Sequence, residues 1–222
     1  MNLMKQILII VLLIASACSH RQGNTECTWK EFESSVDSCM TGFQDSNDTA
    51  YIKHAISLCD EILSGSTSTE QRYSVLRTKA NLLGTIGMLV EAFEVRGESV
   101  CLLDTLNIER LEYMSMRSRL EGDNVTANVY LHKVISECEK NKDDEDMVLR
   151  EATCYILMGK KDMAKDVMMQ YINDHTSSAV SYALDDFDGY VSQVEKGVEV
   201  LSKAWQSNKN ICPRTSNISQ DS

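Results

Sequence analysis

A 222-residue chain with 33 acidic and 22 basic side chains, net −11, suits neither the phosphate backbone of nucleic acid nor anionic lipid headgroups. Removing residues 1–17, which hold one Lys and no acid, takes the charge to −12 and leaves about 205 residues, enough for one domain or one repeat array. The single proline, Pro213, leaves long stretches rich in Met, Leu, Glu and Lys free to be helical, so the expected fold is all-α.

The N-terminus reads as an export signal over residues 1–17. Lys5 supplies the positive charge, and Ile7 to Ile14 is an unbroken apolar run, too short for a span that needs about 20 residues. Small residues follow and end at a cysteine. The junction Ile14-Ala15-Ser16-Ala17-Cys18 resembles the lipobox of bacterial lipoproteins, with Ala15 where Leu is usual. That resemblance implies that Cys18 is diacylated, becomes the mature N-terminus and anchors the protein to the membrane of the cell envelope. Each buried CH₂ adds about 0.8 kcal/mol, and two chains hold stably where one does not. The non-acidic Ser19 is similar to the outer-membrane-sorted class. Ala15-x-Ala17 also suits the general signal peptidase, so plain secretion is the other reading. Residues 18–26 are polar and read as a tether.

A helical-repeat domain is expected over residues 27–206. Trp29, Phe32, Val36, Met40 and Phe43 recur on one helix face and suit an N-terminal cap of the array. Ser46-Asn47-Asp48 then offers a turn and an N-cap before Tyr51. Next comes self-similarity. Ala80/Gly87/Ala92, Ser115/Gly122/Ala127 and Ala152/Gly159/Ala164 share one spacing, at intervals of 35 and then 37 residues, and a further step of 37 backwards lands on Ala55.

Each of these last Ala residues opens a helical stripe: Ala55/Leu58/Cys59/Ile62/Leu63, Ala92/Val95/Arg96/Ser99/Val100, Ala127/Tyr130/Leu131/Val134/Ile135 and Ala164/Val167/Met168/Tyr171/Ile172. Arg96 and Ser99 spoil the second. Leu76/Ala80/Leu83, Leu111/Ser115/Ser118 and Val148/Ala152/Tyr155 form matching stripes on the helices before, and Gly87, Gly122 and Gly159 sit where those helices must stop.

This unit of about 36 residues resembles the tetratricopeptide repeat, a helix–turn–helix with small residues at fixed interior places. Met158-Gly159-Lys160-Lys161-Asp162-Met163-Ala164 is the nearest copy of its turn. The family's usual Trp and helix-ending Pro are missing, and Asp104, Glu139 and Thr176 stand at the proline places. The resemblance covers residues 72–175, with 28–64 by extension. It implies a superhelical array of antiparallel helical hairpins whose first helices line a groove for a protein or peptide partner. Carrying the repeat frame over, the groove-facing residues are Arg77, Asn81, Glu112, Met116, Arg119 and Thr153.

Toward the C-terminus, Asp143-Asp144-Glu145-Asp146 suits the start of a helix near Met147. Val191, Val194, Val198, Leu201 and Trp205 form a last stripe, and residues 207–222 read as a polar, disordered tail. Asp186, Asp188, Gly189 and Glu195 fall at places of a calcium-binding loop, but Leu184 holds the first ligand position, so a solvated acidic turn is expected. No C-x-x-C and no Cys/His pair at zinc spacing occurs, and neither a metal nor another cofactor is expected. Seven cysteines remain besides Cys18. Single buried thiols are one reading, and an oxidising envelope permits disulfides.

The sequence has no G-x-S-x-G elbow, H-E-x-x-H pair, phosphate loop or dinucleotide glycine pattern, so no enzyme activity is expected. His54 and His132 are expected on the helix surface. The favoured reading is a lipid-anchored, outer-membrane scaffold that binds a protein or peptide. The alternatives are a helical accessory lipoprotein in outer-membrane glycan capture and a structural envelope lipoprotein without a ligand.

Overall fold

The computed structural model describes residues 26–175 and 178–211, without the side chains of 26–28, 178 and 209–211. The expected signal segment, Cys18 and the expected tether through residue 25 lie outside the described residues, as do residues 212–222. Among the described residues ten α-helices follow in order: α1 (Glu26–Ser46), α2 (Thr49–Ser64), α3 (Thr69–Thr85), α4 (Leu89–Val100), α5 (Ile108–Glu121), α6 (Asn124–Cys138), α7 (Glu145–Leu157), α8 (Lys161–Asp174), α9 (Ser178–Asp185) and α10 (Phe187–Ile211). The described residues contain no strand, and the helices pack in adjacent pairs. No described helix is long and apolar enough to cross a membrane.

Local chemistry sets the helix ends. Asp48 caps α2, its carboxylate accepting from the Ala50 amide at 2.9 Å, after Asn47 turns the chain with φ +55°. Ser68 and Gln71 form a reciprocal capping box at the start of α3. Asp144 caps α7, which starts at Glu145, two residues before the expected place.

The turn between paired helices is built the same way three times. Gly87, Gly122 and Gly159 have φ of +81°, +92° and +74°. The next amide in each case reaches five residues back, Met88 to Leu83, Asp123 to Ser118 and Lys160 to Tyr155, at 2.8–3.0 Å. This satisfies carbonyls that a helix end would otherwise leave bare.

Two hydrophobic cores result. The first joins Phe32, Val36 and Cys39 of α1 to Ile52, Ala55 and Cys59 of α2 and Val75 and Leu82 of α3. The second runs from Leu111 of α5 through α6, α7 and α8 to Val180 of α9 and Val191 of α10. The spoiled stripe on α4 lies toward the join between them. Ser99 is fully buried, its hydroxyl donating to the Arg96 carbonyl at 2.7 Å, and Arg96 is paired with Glu109 of α5. Both departures from an apolar stripe are thus bonded, Ser99 in the interior and Arg96 where it is partly buried. Beside them, Gly97 leaves room that a Cβ would close. An added methyl would stand 2.2 Å from the Tyr113 hydroxyl, so Tyr113 lies against α4 and stacks on Phe93 at 4.6 Å.

Helix α10 runs back across the fold and touches α7 and α4. Trp205, near its end, is 5% exposed and meets Phe93 edge-on at 5.8 Å, with the Arg117 guanidinium 6.0 Å from its ring centre. The expected polar tail therefore begins later than residue 207. Once Trp205 is docked, each further residue adds a helical hydrogen bond, and the helix continues to Ile211. The acidic turn is also shorter than expected. Residues 187–195 are helical, Asp186 alone separates α9 from α10, and its carboxylate accepts from the Gly189 amide at 3.1 Å.

Cys39, Cys59, Cys138 and Cys154 are buried free thiols, and Cys101 is an exposed one. Burial pushes the Cys59 and Cys138 thiols up to about 12 and Cys154 well above its usual value, which leaves these three inert as nucleophiles. His54 and His132 are exposed.

Candidate functional site

The six residues implied to line a groove fall into three settings. Glu112 of α5 accepts from Nη1 of Arg150 on α7 with both carboxylate oxygens, each at 2.7 Å. Burial pushes its carboxyl up, and Arg150 opposes that. Arg119 of α5 donates to the Leu157 carbonyl at 3.0 Å, at the very end of α7, where a helix leaves its carbonyls unsatisfied. Thr153 of α7 shares a 2.7 Å hydrogen bond with the Tyr190 hydroxyl of α10, which also lies 3.1 Å from the Leu149 carbonyl. Met116 is partly buried. Glu112, Arg119 and Thr153 therefore stitch neighbouring helices together.

Arg77 and Asn81 are placed differently. Together with Ser74 and Thr78 they stand at i, i+3, i+4 and i+7 along α3, one polar stripe, and face α1 across a cleft of about 380 Å³. The α1 wall is Trp29, Phe32, Glu33, Val36 and Asp37. Phe32 and Val36 are buried toward the first core, while Glu33 and Asp37 are exposed at the rim. Trp29 leans on Phe32 with ring centres 5.3 Å apart. The sequence stripe through Trp29, Phe32 and Val36 marks this wall as a core face. Glu33 and Asp37, one position further round the same helix, were the legible signal for a cleft rim.

Behind α3 lies a charged cluster that the periodicity flagged only as a flaw. The Tyr73 hydroxyl donates to Glu109 at 2.7 Å, and Arg96 pairs with the same carboxylate oxygen. The Arg96 and Glu109 side chains are 15% and 18% exposed. Burial lowers the Arg96 guanidinium and Glu109 counters it, while burial, then Glu109, raises the Tyr73 phenol. These groups tie α3 and α4 to α5 and hold no arrangement of nucleophile, base and open space. Among the described residues no group of three or more His, Cys, Asp or Glu is placed to hold a metal.

Glu151 on α7 is a further group that no pattern marked. Its residue is 7% exposed, and burial, with Glu139 nearby, pushes its carboxyl up to about 7. Below about pH 4.5 both folded and unfolded forms hold the proton and stability is unaffected. Between that and pH 7 the unfolded chain ionises first, so stability falls as pH rises, and the loss is complete above pH 7. Glu151→Gln should match the parent chain in urea unfolding at pH 4 and exceed it by about 2 kcal/mol at pH 8. Equal stability at pH 8 would show a hydrated carboxylate instead.

No protein-family model, curated protein or solved structure matches the chain.

Proposed function

We propose that this chain is a lipid-anchored envelope protein whose tetratricopeptide-like superhelical array of antiparallel hairpins binds a protein or peptide partner in the α1–α3 cleft. The address rests on the lipobox-like junction at Cys18. The array is supported by three identical glycine turns at intervals of 35 and 37 residues and by helices packed in adjacent pairs. One observation carries the binding reading. Of the six residues implied to line a groove, Arg77 and Asn81 border an open cleft. A cleft walled by aromatic and apolar side chains on one face and by hydrogen-bonding side chains on the other suits a short extended segment, whose backbone needs both.

The test is affinity capture of the full-length protein from its native envelope, with mass spectrometry of the captured partner and of the mature N-terminus. The expected result is a diacylated Cys18 and a partner whose recovery drops about tenfold with Arg77→Gln/Asn81→Ala at an unchanged unfolding midpoint. An unmodified N-terminus removes the anchor from this reading. A partner retained by the double variant removes the cleft.

A further inference from the structure

We propose that the α1–α3 cleft receives a cationic side chain, lysine or arginine, of an extended peptide, with its charge between Glu33 and Asp37 and its apolar stem over Trp29. This rests on the peptide-binding reading of the same cleft and adds the chemistry of the segment it selects.

Charge comes first. Glu33 and Asp37 are one helical turn apart, close enough for one cation to reach both, and neither carboxylate has an ion-pair or hydrogen-bond partner among the described residues. Against them stands one guanidinium, Arg77, on the opposite wall, so the cleft is net negative. The chain as a whole, at −11, draws basic segments toward it and repels acidic ones. Trp29 lines the same wall one turn before Glu33, and an indole face is the best aromatic partner for a cation.

The other wall supplies the backbone contacts. Helical Ser and Thr hydroxyls commonly bond to a carbonyl one turn back, as Ser35, Thr41, Thr85 and Thr153 do here. Ser74, Thr78 and Asn81 make no side-chain hydrogen bond among the described residues. Two hydroxyls and an amide, each both donor and acceptor, thus face the cleft along one stripe, matched to peptide N–H and C=O groups. The apolar floor of Phe32 and Val36 accepts the methylene stem of a long basic side chain.

Panning a random heptapeptide library against the mature chain tests this, with Thr78→Trp to fill the cleft, Glu33→Lys/Asp37→Lys to reverse its rim, and thermal melts of each variant. The recovered peptides should carry Lys or Arg, lose about tenfold in affinity when that residue becomes Gln, and be lost to both variants. Asp37→Asn, a change at one exposed rim position, should weaken them several-fold and serves if the double variant does not fold. Peptides lost to Thr78→Trp but indifferent to charge overturn the cation assignment and leave the cleft as a peptide site. Peptides indifferent to Thr78→Trp, or none recovered, overturn both.

Discussion

Glu109→Ala lowers the unfolding free energy by about 3 kcal/mol, although it removes a single polar side chain. Glu109 is the shared acceptor for the Arg96 guanidinium and the Tyr73 hydroxyl. Truncating it leaves a largely buried positive charge and a partly buried hydroxyl without their partner, and an uncompensated buried charge is what makes such a deletion severe. The cluster lies at the join between the first core, which ends on α3, and the second, which starts on α5. Replacing the whole set, with Tyr73→Phe, Arg96→Met and Glu109→Leu, should recover most of the loss, since apolar groups of similar volume do as well as a buried ion pair. Urea titrations of the single and triple variants at pH 7 decide it. A single-variant loss below about 1 kcal/mol would mean that water already solvates Arg96.

Trp205→Ala should cost a comparable 3–4 kcal/mol, by loss of packing. The indole is almost fully buried far from the residues that precede it in sequence, between Phe93 of α4 and Arg117 of α5. At its other end α10 belongs to the second core through Val191 and holds α7 through Tyr190. It is therefore a strap from the second core to α4, and removing Trp205 detaches one end. Tyr190→Phe should cost only about 1 kcal/mol, because it removes hydrogen bonds and keeps the ring in place. Amide exchange gives the separate readout. In Trp205→Ala, protection should fall along the last turns of α10 and at the α4–α5 join while α1 and α2 stay protected. Unchanged protection at the join would mean that α10 does not couple the two halves.

Arg119 shows how far residue pattern carries. The repeat frame names it as groove-facing from its place four residues after Ser115, yet its guanidinium holds the carbonyl that ends α7, 38 residues away. Thr153 and Glu112 follow the same course. Arg77 and Asn81 occupy equivalent frame positions and border the cleft, because the helix opposite them is α1, with Glu33 and Asp37 at the rim. Frame position states which way a side chain leaves its helix. What it meets depends on the neighbouring helix, and no local signal encodes that.

Sequence alone determined the all-helical class, the three glycine turns and the cap before Tyr51. A left-handed φ at Gly87, Gly122 and Gly159 and a carboxylate over the first amides at Asp48 and Asp144 are local preferences, settled within a few residues of chain. Tertiary structure alone decided that Arg96 is partly buried in an ion pair, that α10 turns back to α4 and continues past Gln206, and that one stretch of predicted groove is an open cleft while three of its residues are bonded across helices. Those outcomes depend on contacts between residues far apart in the chain, where burial and charge pairing outweigh any local preference.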